Sequence, residues 1–223
     1  MDLKSASVLR SESFDIANPE VFVETVSDDV SIVESSDGKC HIEISAKSES
    51  AKPLVDLVDI SANGSKLSIR AGKRGTGLRG LFNFGTSELF IVIKLPKANL
   101  LKMKIVSADV SVDQIFNTID IGSVSGDILV RRNPTGTCSL KTVSGDIKTK
   151  ALSSCTYLLK SVSGDINVGV ASGLEVDVDG KSVSGDLQSE ISLSSDSSSG
   201  TENSEIVTIS ATTVSGDFTL VRN

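Results

Sequence analysis

Val-Ser-Gly-Asp occurs five times in this chain, at residues 124–127, 143–146, 162–165, 183–186 and 214–217. Relaxed copies stand at Val106-Ser107-Ala108-Asp109 and Val26-Ser27-Asp28-Asp29. From Val106 the steps are 18, 19, 19, 21 and 31 residues. Removing the twelve-residue polar stretch 194–205 brings the last step to 19 as well. A short, nearly constant period is the signature of a stacked repeat, in which one unit cannot bury its own apolar face.

The residues around the motif alternate with period two. With the motif valine as zero, position -5 reads Leu101, Ile119, Cys138, Tyr157, Val178 and Ile209, and position -3 reads Met103, Ile121, Leu140, Leu159, Gly180 and Ala211. Position +4 reads Val110, Ile128, Ile147, Ile166, Leu187 and Phe218, and position +6 reads Val112, Val130, Thr149, Val168, Ser189 and Leu220. The intervening positions are mostly polar. Two strands with one inward face therefore flank each turn. Val21, Val23, Val30 and Ile32 fit the same offsets around the earliest copy. The expected fold is all-β: a single-stranded parallel β-helix or β-solenoid, right-handed, with coils of ~19 residues stacked in chain order. The expected organisation is one continuous structural domain with a tail at 1–10, an irregular β part at 11–95 and a regular solenoid at 96–223.

Composition agrees. Tryptophan is absent and aromatics are 4% of the 223 residues, so Val, Ile and Leu must build the core. The net charge of -7 disfavours nucleic acid as a partner. Nine Lys/Arg against Glu88 alone make residues 66–104 locally +8, leaving -15 for the remainder. The start, Met1-Asp2-Leu3-Lys4, has no apolar core of a signal peptide, and three cysteines form no paired framework. The expectation is a reduced, cytoplasmic protein without a transmembrane segment.

The order of motifs resembles a bacterial family labelled putative adhesin. Ser13-Phe14-Asp15 opens it, the first turn follows at 26–30, then a glycine-rich basic loop at 72–85, a strand ending at Pro96, and the Ser-Gly-Asp coils. The resemblance covers residues 11–223. It implies a β-helical scaffold with an undefined receptor. Many relatives are membrane-attached or exported, whereas this chain shows no anchor, and the 194–205 stretch interrupts the regular coils.

Two sets of residues stand out. The first is the turn set, Asp109, Gly126, Asp127, Gly145, Asp146, Gly164, Asp165, Gly185, Asp186, Gly216 and Asp217, continued upstream by Asp29. Stacked coils would place these carboxylates about 5 Å apart. The structural reading is a turn in which glycine takes positive φ and aspartate closes an Asx-type turn, with Lys104, Lys141, Lys160 and Lys181 neutralising the row. The competing reading is a row of Ca²⁺ ligands. The Ser/Thr positions before the valine (Ser123, Thr142, Ser161, Ser182, Thr213) read as an internal ladder or a water-ordering face.

The second set is the basic loop, where Lys73, Arg74 and Arg79 interleave with Leu78, Leu81, Phe82 and Phe84. It reads either as a contact for an anionic membrane surface or acidic protein, or as a cap over the end of the stack. His41 beside Cys40 forms no dyad, because adjacent strand residues face opposite ways. No zinc spacing and no cofactor motif occur. The expected function is a non-enzymatic, adhesin-like scaffold or interaction module that binds a protein or cell-envelope component. The alternatives are a self-assembling structural protein whose uncapped final coil stacks end to end, and a β-helix polysaccharide lyase.

Overall fold

The computed structural model describes residues 7–72, 89–191 and 206–222. The chain begins with strands β1 (Val8–Phe14), β2 (Glu20–Thr25), β3 (Asp29–Glu34) and β4 (Cys40–Ala46), then a 3-10 helix (Glu49–Leu57), β5 (Asp59–Asn63), β6 (Lys66–Arg70) and β7 (Leu89–Leu95). It continues with β8 (Ala98–Ile105), β9 (Val110–Asp113), β10 (Phe116–Gly122), β11 (Ile128–Val130), β12 (Thr137–Lys141) and β13 (Ile147–Ala151). The last strands are β14 (Cys155–Lys160), β15 (Ile166–Val170), β16 (Glu175–Ser182), β17 (Leu187–Ser189), β18 (Ile206–Thr213) and β19 (Phe218–Arg222).

The protein is all-β, with two large sheets. One runs β1-β4-β7-β3-β9-β11-β13-β15-β19-β17 and the other β16-β18-β14-β12-β10-β8-β2-β6-β5. Pairing is parallel except where β1, β4 and β5 join, and those three pair antiparallel. Each Val-Ser-Gly-Asp turn carries the chain from the second sheet to the first, so a strand pair and its turn form one rung.

The apolar columns stack as the period-two pattern requires. Val21, Leu101, Ile119, Cys138, Tyr157, Ile209 and Val178 are consecutive register partners in one sheet. Val30, Val110, Ile128, Ile147, Ile166, Phe218 and Leu187 are consecutive partners in the other. Most of these side chains are fully buried and belong to one core. Tyr157, the largest of them, keeps its hydroxyl satisfied by donating to the Lys150 carbonyl at 2.7 Å. Burying a Val, Ile or Leu side chain is worth about 1.5–3 kcal/mol, so these columns supply most of the driving force.

The stacking order is not the chain order, which corrects the sequence expectation. The last rung, β18–β19, lies between β14–β15 and β16–β17. The first rung, β2–β3, likewise lies between β6–β7 and β8–β9. At each end the chain steps over a rung that another part of the sequence fills. Register permits this, because every rung presents the same columns to its neighbours. Arg222 secures the step at the C-terminal side: its Nη1 donates to the carbonyls of Ala171 and Leu174, in the connection that leaves β15, at 3.0 and 2.9 Å. The final coil of the sequence is therefore internal. Among the described residues, the rung with a free side is β16–β17, where Leu187 is 52% exposed and β17 pairs with β19 alone. The opposite end is covered by β1, β4, β5 and the 3-10 helix. Arg10 ties that helix down through the carbonyls of Val55 and Val58 at 3.2 and 2.7 Å.

Glycine in the motif answers to packing more than to φ, a second correction. Only Gly126 among the five has positive φ, at 125°. A Cβ on Gly145, Gly164, Gly216 or Gly185 would overlap the backbone carbonyl of Gly126, Gly145, Gly164 or Gly216 respectively, the glycine of the rung beneath. Backbone stands on backbone at this corner. Gly145→Ala or Gly164→Ala is expected to cost about 3 kcal/mol or more in urea unfolding, since overpacking against backbone cannot relax. Gly122→Ala, whose Cβ meets nothing within 4 Å, is expected to stay within about 1 kcal/mol of the parent.

Candidate functional site

The Ser-Gly-Asp corner is where sequence interest concentrates, and its hydrogen bonds are nearly all accounted for. The Asp109 N–H donates to the Asp29 carboxylate at 3.1 Å, and Asp127 N–H to Asp109 at 3.0 Å. Asp146 donates to Asp127 at 2.9 Å, and Asp165 to Asp146 at 3.0 Å. Asp217 donates to Asp165 and Asp186 donates to Asp217, both at 2.9 Å. Seven aspartates thus form one unbroken ladder of backbone N–H to carboxylate bonds, in the permuted rung order. Each carboxylate takes its N–H donor from the neighbouring rung and not from the turn's own backbone, which corrects the Asx-type reading.

The rest of the motif follows the same logic. The serine N–H donates to the valine carbonyl of the rung beneath: Ser144 to Val124 at 3.0 Å, Ser163 to Val143, Ser215 to Val162 and Ser184 to Val214 at 2.9 Å. The glycine N–H donates to the Ser/Thr three residues earlier: Gly145 to Thr142 at 3.1 Å, Gly164 to Ser161 and Gly185 to Ser182 at 2.8 Å, and Gly216 to Thr213 at 3.0 Å. Thr142, Ser161 and Thr213 are buried and close their turns from within, so the column is not an outer face; half-buried Ser182 also donates to the Gly216 carbonyl of the next rung at 3.3 Å. The aspartate carbonyl accepts from the residue after the aspartate of the adjacent rung, as in Ile147 N–H to Asp165 O at 2.8 Å.

The lysines expected to neutralise the aspartates lie elsewhere. Lys181 pairs with Asp179 at 2.8 Å. Among the described residues, the cations that approach the row are Lys47, bonded to Asp29, and Lys148, 3.8 Å from Asp146. Neutralisation is therefore mainly by oriented N–H dipoles. Among the described residues no group of three or more His, Cys, Asp or Glu side chains is placed to hold a metal ion.

The corner exposes the motif valines side by side with Ser144, Ser163, Ser184 and Ser215 and with Asp127, Asp165 and Asp186. The motif valine points outward, with Val124 49%, Val143 45%, Val162 45%, Val214 44% and Val183 80% exposed. Sequence reading placed importance on the aspartates and passed over this column, although its identity in five copies was visible. The basic loop residues Lys73, Arg74, Leu78, Arg79, Leu81, Phe82 and Phe84, and the stretch 194–205, lie outside the described residues. Gly72, at the loop's start, is described: φ is +86°, and a Cβ there would crowd Val26.

His41 and Cys40 do point apart. Cys40 is fully buried, and burial pushes its thiol up to about 11. His41 lies across the β1–β4 ladder from Ser13: its Nδ1 is 2.8 Å from the Ser13 hydroxyl, and its Nε2 is 2.8 Å from both oxygens of Asp37. The bond from His41 holds the Asp37 carboxyl below the usual carboxylate range. Sequence reading missed this chain because Ser13 and Asp37 become neighbours of His41 only through antiparallel pairing. It sits on the face of a β-ladder, and it lines neither the cleft around Asn99 nor the one around Asp109.

The fold and this corner define a repetitive all-β protein whose two sheets are mainly parallel. The chain belongs to the Toastrack DUF4097 family, whose sequence model matches residues 19–153 and again 97–221. No curated protein matches. Among solved structures, it is similar to a putative adhesin from Bacteroides fragilis NCTC 9343, at 15% identity and TM-score 0.54 over 96% of each chain. It is also similar to a putative cell adhesion protein from Clostridium sporogenes ATCC 15579, at 10% identity and TM-score 0.51 over 96% of this chain and 99% of that one. At these identities the likeness is one of fold.

The ladder makes a prediction. Asp146→Ala removes the acceptor of the Asp165 N–H and is expected to cost about 1–3 kcal/mol in urea unfolding. Asp146→Asn keeps an acceptor oxygen and is expected to cost less than half as much. Equal loss in both variants, or stabilisation of the parent by millimolar Ca²⁺, would contradict the ladder reading.

Proposed function

We propose that this chain is a non-enzymatic, adhesin-like interaction module built on a β-solenoid with coils of ~19 residues. The observation that carries the reading is the exposed valine column. The hydrogen-bonding groups of the turn are spent between rungs, so the repeat makes a rigid frame. The valine takes part in that frame through its backbone carbonyl, while about half of its side chain in four of the five copies stays exposed. An apolar stripe repeated along a surface marks a contact with another molecule. The adhesin names given to the B. fragilis and C. sporogenes proteins support the same reading. The partner is a protein or cell-envelope component.

The test uses immobilised full-length protein and a bacterial envelope fraction. A saturable retained component is expected, with Val143→Ser/Val162→Ser weakening retention about fivefold or more while the unfolding midpoint stays unchanged. No retention above an uncoated control contradicts the reading, and so does retention insensitive to the valines.

A second reading, self-assembly, is favoured by the free side of β16–β17. Both strands carry backbone edges that pair with no strand among the described residues, which invites strand addition. The covered opposite end argues for a closed two-copy contact over an open filament. Light scattering after size exclusion is expected to show mass rising toward twice the monomer with concentration. A monomer at every concentration removes this reading.

A further inference from the structure

The corner opposite the Val-Ser-Gly-Asp turns is built differently. There the chain returns from the first sheet to the second through connections that share no motif. A cleft of about 550 Å³ opens across them, lined by Asn18, Lys97, Asn99, Ile115, Asn117 and Thr135 among others. The size lies within the ~300–1,000 Å³ typical of small-ligand sites.

Its polar groups come from successive rungs. Parallel pairing of β8 with β10 sets Asn117 beside Asn99. The Asn99 N–H donates to the Pro19 carbonyl at 3.0 Å, which brings Asn18 alongside. Three side-chain amides thus line one groove, those of Asn99 and Asn117 at the ~4.8 Å spacing of neighbouring strands. Asn18 is the one non-glycine residue with positive φ among the described residues, at 49°. A left-handed residue is uncommon, and such conformations gather at ligand sites.

The contrast with the turn corner is chemical. There the serine and aspartate N–H groups bond to the next rung and the glycine N–H bonds within its own turn. Here only Asn117 is engaged, accepting from the Thr135 hydroxyl at 3.3 Å. Among the described residues, the side chains of Asn18, Asn99 and Lys97 have no hydrogen-bond or ion-pair partner within the protein.

Those groups select a class of ligand. Each amide offers two donors and an acceptor, which matches a molecule whose own groups both donate and accept. Glu20 lines the same cleft as Lys97, so the site balances its charge and does not favour an anion. Ile115, 39% exposed, gives an apolar contact at the margin. Hydroxyls in several directions around a ring with apolar C–H faces satisfy all three conditions. We propose that this cleft binds a neutral saccharide. The proposal rests on the interaction-module reading and names its ligand class. With Ile115 and no aromatic platform in the cleft, binding at one site is weak.

The test is a titration of the full-length ¹⁵N-labelled protein, followed by two-dimensional NMR, with methyl glucoside, methyl galactoside and N-acetylglucosamine separately. For at least one sugar, saturable shifts are expected at the side-chain amides of Asn18, Asn99 and Asn117. Asn99→Ala/Asn117→Ala is expected to weaken that binding about fivefold or more. If the double variant fails to fold, the single variants Asn99→Ser and Asn117→Ser are read in the same titration. No saturable shift with any of the three sugars overturns the proposal, as do shifts unaffected by the asparagine substitutions. The envelope retention assay separates the two claims: retention without sugar shifts contradicts the cleft alone, and loss of both contradicts the module reading as well.

Discussion

A row of seven carboxylates, one per rung, sets the terms for this fold. Neighbouring unit charges about 4.8 Å apart repel by roughly 1 kcal/mol in water. A backbone N–H donated to a carboxylate returns about 1.5–3 kcal/mol, so one such bond per rung outweighs the repulsion. In the five Val-Ser-Gly-Asp copies, glycine before the aspartate lets the turn come close enough for the bond, while Asp109, preceded by Ala108, makes the same bond to Asp29. Without a Cβ, each of those five turns descends onto the carbonyl of the rung beneath, and the next N–H reaches the carboxylate below. Serine and the buried Ser/Thr use the remaining donors. The motif is therefore one device for stacking backbones at a corner, with each residue type tied to a particular contact.

This device explains why rungs can be exchanged in space. A rung recognises its neighbour through the corner ladder and through columns of Val, Ile and Leu that are similar in most copies. The ladder does not distinguish the rung made by β14–β15 from the one made by β16–β17, although the columns of the second carry Gly180 and Ser189 where the first has Leu159 and Val168. Connections decide the order instead. Arg222, bonded to the carbonyls of Ala171 and Leu174, shows how one step over a rung is held. Stepping over a rung at both ends also means that neither the first nor the last rung of the sequence closes the stack. A cap of antiparallel strands finishes one end, and a mid-sequence rung lies at the other.

The parts of this arrangement that repeat were legible in the sequence. Offsets -5, -3, +4 and +6 identified the inward columns, and the register of Ile119 with Cys138 and of Ile147 with Ile166 follows them. The rung order was not legible, because identical motifs cannot encode which copy is adjacent. The role of glycine was misread for a related reason: positive φ is a property of one residue, whereas Gly164 is required by the carbonyl of Gly145 in another rung. The saccharide cleft was invisible, since Asn18, Asn99 and Asn117 lie in segments with no shared motif. The Ser13–His41–Asp37 chain was hidden in the same way, since it depends on an antiparallel pairing that no repeat announces.

The central claim is that each aspartate carboxylate accepts the N–H of the neighbouring rung, in an order that places 206–222 between 155–170 and 175–189. Through-hydrogen-bond NMR coupling between backbone ¹⁵N and carboxylate ¹³C nuclei reads both parts at once. The account predicts couplings from the Asp217 N–H to the Asp165 carboxylate and from the Asp186 N–H to the Asp217 carboxylate. Coupling from Asp186 directly to Asp165 would contradict the rung order, and absence of coupling throughout the column would contradict the ladder itself.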